Sequence, residues 1–373
     1  MKKEKLGVGI IGAGKGSWAV RGHIPALQKL SAHFTLTAVS TSAMQSAKAT
    51  AEQFGIAYAF DNEYDLVNHP SVDLVVVAVK VPAHDHLVRT ALEAGKMVYC
   101  EWPLGNGTAE AKALADLAAE KGIRTFAGLQ AHALPELKYL KDFLAEGRIG
   151  KVLSSAIIGT GDNWGTSLPT ESLAYLLDPK SGADMMTIPF AQTIDGVEFS
   201  LGAFTEITAQ LATRNHAVLI GETNREAPLL VNDQVLLSGT LLNGIIFSAH
   251  YSGGESQSHN FYWSVKGSAG EIVITSPTGH LQFGKLDLQV SFGKDALQPL
   301  VVPASYLPDE GGEPGLCADP SRAVYYGYKE IAEDLAKGTN VFPSFSYAVT
   351  RHEFLDQMIT AAASGCGLTI KND

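Results

Sequence analysis

Gly7-Val8-Gly9-Ile10-Ile11-Gly12-Ala13-Gly14-Lys15-Gly16-Ser17-Trp18 is a short apolar run that breaks into glycines, and a helical pattern follows from about Trp18. That order is a first β-strand, a tight turn and a helix N-terminus, the layout of a dinucleotide-binding fold. Gly12-x-Gly14-x-x-Ser17 fits G-x-G-x-x-G except at the third place, where Ser17 stands for Gly or Ala. Gly12 allows the tight turn, and Gly14 lets a pyrophosphate approach the backbone. The N–H groups of the first helical turn, around Lys15 to Trp18, are free to bond phosphate oxygens. Two other readings compete. Gly9-x-x-x-x-Gly14-Lys15 is nearly a triphosphate-binding loop, but Gly16 stands where that motif needs a magnesium-binding Ser or Thr. A glycine turn with no ligand is the third.

The residues beyond this turn decide for the dinucleotide. Strand patterns at 34–39, 57–60, 72–79, 97–100 and 125–128 alternate with helical ones at 18–30, 42–54, 64–68, 86–94 and 108–121. Val72 to Val79 is apolar throughout, as a parallel strand buried on both faces requires. This predicts a doubly wound parallel sheet over residues 1–128, with ligand at the carboxyl ends of its strands. From 129 to 373 the pattern changes. Helices are expected at 135–146, within 183–201 after Thr187-Ile188-Pro189, at 322–337 and at 347–364. Strands at 151–158, 206–212, 233–242, 244–251, 260–266, 271–275 and 286–292 follow one another through short turns. The fold class is therefore α/β: a Rossmann domain, then an α+β domain with a large, mostly antiparallel, open-faced sheet. Residues 252–259 and 308–316 are polar and glycine-rich and read as mobile loops.

The bulk properties narrow the partners. The 373 residues carry 28 Lys and Arg against 39 Asp and Glu, a net charge of −11, which disfavours nucleic acid and anionic membranes. Cys100, Cys317 and Cys366 are far apart with no metal-ligand spacing, so no metal site is expected and a reducing, cytoplasmic setting is. No signal peptide or membrane-length apolar run is present. A small-molecule partner fits best.

The segment after the second strand selects the cofactor. An Asp or Glu there bonds the ribose 2′-hydroxyl of NAD; this chain has Ser40-Thr41-Ser42 with Lys48 further on. NADP is expected over NAD, which stays open, and Ser42 is also a candidate helix cap.

Gly9 to Gly14, His23-Ile24-Pro25-Ala26-Leu27, and Ala91 to Pro103 ending Cys100-Glu101-Trp102-Pro103, resemble the Gfo/Idh/MocA oxidoreductases, as do Ile149 to Leu153, Gly267 to Gly270 and Pro343-Ser344-Phe345. Gly16-Ser17-Trp18, Val79-Lys80-Val81-Pro82 and Glu101-Trp102-Pro103 resemble one branch of that family, the relatives of the yeast galactose regulatory protein. The resemblance implies NAD(P), sugar or polyol substrates, and homodimers or homotetramers built through the C-terminal sheet. It places Val79, Lys80, His84, Glu101, Trp102, Pro103 and Gln130 with Gly12 to Trp18 and Ser40 to Ser42 on the cofactor side. Glu101 then belongs to the nicotinamide ribose region, and Pro103 fixes the loop, a cis bond with Trp102 being one way.

The departures bear on catalysis. Catalytic members have a lysine where this chain has Trp102, whose indole N–H donates a hydrogen bond but exchanges no proton near neutral pH. A second family signature carries an Asp and, four residues on, a His; here Ile188 and Gln192 align with them, and Asp195 matches a further acid. Lys80 is the first substitute as proton donor, since a lysine beside a buried strand titrates down when desolvated; reaching solvent or a phosphate is its alternative. His132, after the last strand of the first domain, is the second, against a structural or substrate-binding role. Trp102, His132, Asn163, Trp164, Tyr175, Asp184 and Gln192 are candidate substrate contacts, with packing as the alternative for each and helix capping for Asp184. Two functions follow: an NADP-dependent sugar or polyol oxidoreductase with an altered proton relay, or a catalytically silent NAD(P)-binding sensor and transcriptional co-regulator acting through a protein partner.

Overall fold

The structure, a computed structural model, describes residues 5–307 and 320–370. The loop expected at 308–316 and Cys317 lie outside the described residues; of the other two cysteines, Cys100 is buried and Cys366 exposed, both free. The described residues form two compact units, one of residues 5–130 with 320–352, the other of residues 131–307 with 353–370.

The first unit holds a parallel sheet of Leu6–Ile11 (β1), Phe34–Ser40 (β2), Tyr58–Phe60 (β3), Leu74–Val77 (β4), Met97–Glu101 (β5) and Thr125–Gly128 (β6), in the order β3-β2-β1-β4-β5-β6. All four residues of β4 are buried, because the crossover helices cover both sheet faces. Those helices are Ile24–Lys29 (α1), Met44–Phe54 (α2), Glu63–Val67 (α3), His84–Glu93 (α4) and Thr108–Glu120 (α5). The strand order reverses between β1 and β4, the place where such sheets open a ligand crevice.

The expected helix over 18–30 is two pieces. Ala19–His23 is a π-helical turn whose Ile24 N–H reaches back to the Ala19 carbonyl, and α1 starts afresh with Pro25 in its first turn. Proline has no N–H to carry the usual ladder through residue 25. Ser42 does not cap α2. The cap position is Ala43, and Thr41 Oγ1 accepts the Ala43 N–H at 3.3 Å.

The second unit opens with Pro135–Ala145 (α6), Val152–Gly161 (β7), Ser167–Leu168 (β8) and Ala191–Leu201 (α7). Phe204–Ala212 (β9), Ala217–Ile220 (β10), Arg225–Pro228 (β11), Gln234–Leu241 (β12), Ile245–Gly253 (β13), Phe261–Gly267 (β14), Gly270–Ser276 (β15), Asp287–Phe292 (β16), Gln298–Pro299 (β17) and Leu368–Thr369 (β18) follow. Nine strands form one sheet, β17-β16-β15-β14-β7-β13-β12-β9-β18; β8, β10 and β11 form a smaller one. In the large sheet only β7 and β13 pair in parallel. Its residues alternate: Ile245, Phe247, Ala249 and Tyr251 are buried while Ile246 and His250 are exposed, the signature of a sheet covered on one face. β13 runs through Gly253, two residues into the stretch read as a loop. Pro189, expected ahead of a helix, sits inside a π-helical turn, Met186–Phe190, that runs straight into α7.

The expected boundary at residue 128 is corrected by the chain's return to the first unit after residue 319. Arg322–Lys337 (α8) buries Tyr328 and Ile331 there. The division then falls within Phe345–Ser364 (α9). The Pro343 carbonyl accepts the Ala127 N–H at 2.8 Å, and Phe342 packs near Tyr99 and Phe126. This apolar surface beside β5 and β6 must be covered, and α8 with its following loop covers it.

Asp334 fastens that loop. Its buried carboxylate accepts from Thr339 Oγ1, Val341 N and Phe342 N at 2.5–3.0 Å. Burial works against ionisation, but these donors and Arg124 outweigh it and hold the carboxyl below the usual Asp range. A depressed carboxyl adds stability above the unfolded pKa near 4 that fades as pH falls through it. Asp334→Ala orphans the three donors and should cost about 2–4 kcal/mol in urea unfolding at pH 7, a loss that shrinks toward pH 3.

Candidate functional site

The glycine turn closes the end of β1. Gly12 has φ +95°, and a Cβ there would run into the Ala78 carbonyl and lie 2.6 Å from Val79 Cγ1. Gly12 and Ala13 donate their N–H groups to the Ser40 carbonyl at 2.9 and 3.2 Å, tying the turn to β2. Around Gly14 there is room: an added Cβ meets nothing nearer than Ser46 Oγ at 3.8 Å. Gly16, at φ +74°, faces open space. Ser17 Oγ accepts the Val20 N–H at 3.4 Å, so the residue replacing the third glycine caps the next turn. Lys15 is exposed. Trp18 lies against Gly22 and, edge-on, His23. This open cradle fits a dinucleotide pyrophosphate at Gly14 to Ser17.

The hydroxyls expected at the adenosine ribose are not equivalent. Ser40 is buried, Thr41 Oγ1 is bonded to the Ala43 carbonyl at 2.8 Å, and Ser42 is exposed. Lys48 is exposed too. Ser46, on α2, reaches the glycine turn and was not singled out from sequence, because a serine inside a helical pattern carries no signal of its own.

On the other side of β1, Val79 packs on Gly12 and Lys80 is exposed. The burial that a proton-donating lysine needs is not there. His84 is buried with Nδ1 2.9 Å from the Pro103 carbonyl and Nε2 3.1 Å from that of Val79. The peptide bond between Trp102 and Pro103 is cis. Trp102 is buried with its ring 4.6 Å from that of His352. Glu101 sits at the centre of a network: Gln130 Nε2 donates to both carboxylate oxygens at 3.0 and 3.1 Å, and His23 Nε2 is 2.8 Å away.

The second unit gathers its own polar cluster. His132 Nε2 lies 2.8 Å from Asp195 Oδ2, an ion pair whenever the ring is protonated. The Phe199 ring lies 4.7 Å from that of His132, and Lys141 Nζ caps the far ring at 4.3 Å. Asp195 is buried in α7. The pairing spans residues that no spacing rule links. Gln192 is buried one turn earlier, beside Thr193, whose Oγ1 is 2.6 Å from the Tyr251 hydroxyl. Asp184 takes the capping role: its Oδ1 accepts the Thr187 N–H while Thr187 Oγ1 accepts its own, both at 2.8 Å. Burial, against these bonds, pushes its carboxyl up. Trp164 is a packing residue, fully buried with its N–H given to the Leu176 carbonyl at 3.0 Å, which leaves it no polar atom for a substrate. Asn163 and Tyr175 are half-buried, and burial raises the Tyr175 hydroxyl pKa.

Residues 6–129 match the family model of oxidoreductases with an NAD-binding Rossmann fold, GFO_IDH_MocA, and residues 135–276 match that of the Gal80p C-terminal domain. The chain belongs to the Gfo/Idh/MocA oxidoreductase family. It is 29% identical over 304 residues to the galactose/lactose metabolism regulatory protein of Saccharomyces cerevisiae, covering 76% of this chain and 70% of that one. It is 24% identical over 322 residues to the levoglucosan dehydrogenase of Pseudarthrobacter phenanthrenivorans, 80% of each. A crystal structure of a super-repressor mutant of yeast Gal80p superposes with a TM-score of 0.88 at 23% identity, over 99% of this chain and 98% of that one. Levoglucosan dehydrogenase in complex with NADH and L-sorbose gives 0.83 at 21% identity, over 98% and 99%. Both likenesses are of fold. Within this Gfo/Idh/MocA chain, no helix among the described residues is long and apolar enough to cross a membrane.

Burial lowers the His84 pKa, against the carbonyls that favour its charged form. The folded protein therefore holds this ring neutral at pH values where the unfolded chain protonates it. Stability is full above about pH 6.5 and declines below it, at up to about 1.4 kcal/mol per pH unit until the native value is reached. His84→Gln should flatten the pH dependence of the unfolding midpoint between pH 7 and 5.

Proposed function

We propose that this protein is a nicotinamide-dinucleotide-dependent oxidoreductase of a sugar, polyol or derivative, preferring NADP, with His132 and Asp195 as its proton relay. The His132–Asp195 approach of 2.8 Å carries this reading. A bound nicotinamide dinucleotide supplies or accepts the hydride. His132 holds the proton for the reacting oxygen, giving it to a carbonyl in reduction and taking it from a hydroxyl in oxidation. With Nε2 turned to Asp195, Nδ1 is the atom that exchanges, and the buried carboxylate stabilises the charged ring. This pair does the work that Trp102 cannot, and it displaces exposed Lys80 as the first choice.

The NADP preference rests on the absence of a carboxylate at residues 40–42 and on the exposed Ser42 and Lys48. The outer face of the large sheet, where Leu236, His250, Ile158 and Tyr262 line up across four strands, is the surface for a homodimer or homotetramer. Sedimentation of the purified chain should give more than one copy, and Ile158→Lys should shift it toward monomer.

A second reading has its own support. Trp102 replaces the family lysine in a chain that is 29% identical to a regulatory protein, so a dinucleotide-binding sensor that acts through a protein partner is the alternative. NADPH oxidation with levoglucosan, L-sorbose and keto-inositols separates the two: tight NADPH binding with no turnover on any of them favours the sensor. For the enzyme, His132→Asn should lower kcat about 10²–10⁴-fold with NADPH affinity unchanged. Ser42→Glu should weaken NADPH about tenfold or more and spare NADH, read by fluorescence titration.

A further inference from the structure

We propose that the turn at residues 280–283, between β15 and β16, supplies the hydroxyl-binding groups of this site, His280 Nδ1 and Gln282 Oε1, and that these select a neutral polyol over a sugar acid or sugar phosphate. The inference rests on the oxidoreductase reading for the site's purpose and on separate residues for its content.

The turn is closed by the Phe283 N–H to the His280 carbonyl at 3.0 Å. It is pinned from several sides. A Cβ on Gly279 would overlap the Thr160 carbonyl at the end of β7. The Gly279 carbonyl accepts the Tyr251 hydroxyl at 2.9 Å, the same hydroxyl that meets Thr193 on α7. Leu281 is wedged against α7: a Cβ on Gly196 would stand 2.5 Å from Leu281 Cδ2 and 3.8 Å from Ala131 Cβ. Gly196 follows Asp195 and Ala131 precedes His132. His280 and Gln282, on either side of Leu281, are thus held next to the proton relay.

Both are buried, at 7% and 5% exposure. Among the described residues, His280 Nδ1 and Gln282 Oε1 are enclosed without a hydrogen-bond partner. Two such atoms in one turn are costly in a folded protein unless something else bonds them. The His280 ring is fixed: Phe283 stacks on it at 4.9 Å and 21°, and Nε2 lies 3.4 Å from Asp162 Oδ1. Burial works against the Asp162 carboxylate, but His280 and the Asn163 N–H outweigh it. An ionised Asp162 takes the Nε2 proton, so Nδ1 of the neutral ring is an acceptor. Gln282 Oε1 is an acceptor too. Two acceptors in a pocket edged by Asp162 and Asp195 ask for hydroxyl donors and repel anions.

The test measures sugar binding directly, apart from turnover. Levoglucosan, L-sorbose, myo-inositol, glucuronate and glucose 6-phosphate are titrated by calorimetry into the NADPH-loaded chain. The variants are His280→Phe, Gln282→Met and His280→Asn, whose side-chain oxygen replaces the lost acceptor. Expected are binding of at least one neutral polyol and of neither anion. That affinity should fall about tenfold or more in His280→Phe and Gln282→Met and recover in part in His280→Asn. NADPH affinity should stay constant, and the melting midpoint should hold or rise as apolar atoms replace unbonded polar ones. Polyol affinity unchanged in both apolar variants overturns the proposal, as do wild-type binding of the anions alone and binding of none of the five. Wild-type turnover that survives both variants overturns this proposal and leaves the oxidoreductase reading standing. Polyol binding lost in the variants without turnover in the wild type supports this turn and removes the proton relay.

Discussion

The Glu101 carboxylate is the constraint on which the first unit depends. A buried carboxylate is tolerated only with donors around it, and its donors come from distant parts of the chain. Gln130 follows the last strand, and His23 follows the glycine turn. His23 in turn is bonded through Nδ1 to the Tyr328 hydroxyl at 2.7 Å, 305 residues away. Burial first, and the Glu101 charge next, push the Tyr99 and Tyr328 hydroxyls well above the usual tyrosine range. Tyr328 therefore keeps its proton and donates it to Nδ1, which leaves Nε2–H to donate to Glu101. One negative charge thereby orders the end of β5, the segment after the glycine turn, the residue after β6, and α8.

That network also explains the make-up of the motif. Glu101 fastens the strand end, and the cis peptide joins Trp102 to Pro103 just beyond it. The Pro103 carbonyl meets His84. The position between them is the variable one. A lysine there brings a proton; Trp102 brings an apolar surface against His352. The scaffold around residue 102 is intact while its proton chemistry has been removed, so any redox activity needs a proton from elsewhere.

Much of this was legible in sequence where the signal is local. The six parallel strands show because β4 is apolar throughout and because each helix between strands has its own period. Gly12 and Gly14 show because a tight turn and an open cradle need those residues. What escaped is set by contacts between remote residues. No local pattern says that α8 covers the apolar surface beside β5 and β6, since its buried face would suit any core. A π-helical turn at Ala19–His23 keeps the helical look of the sequence and differs only in where its N–H groups point. Ser40, Thr41 and Ser42 read as three equal hydroxyls, yet burial and the Thr41–Ala43 bonds leave only Ser42 exposed. His132 stood out by its place after a strand, but its partner Asp195 lies 63 residues on, on a helix whose family signature is otherwise absent.

The loss of the family Asp and His and the presence of a His–Asp pair are two views of one rearrangement. Ile188 and Gln192 have taken the signature positions, and Gln192 is buried in α7 with no charge to exchange. One turn of helix beyond Ile188 and Gln192, the α7 face carries Asp195, and the histidine comes from the turn before α6 instead of from α7 itself. A carboxylate as buried as Asp195 keeps its charge only beside a cation or a donor. His132 supplies that, and in doing so holds a ring whose second nitrogen is positioned for exchange. The pair is therefore stable for the same reason that it is usable: the energy that makes Asp195 need a partner is the energy that draws a proton onto His132.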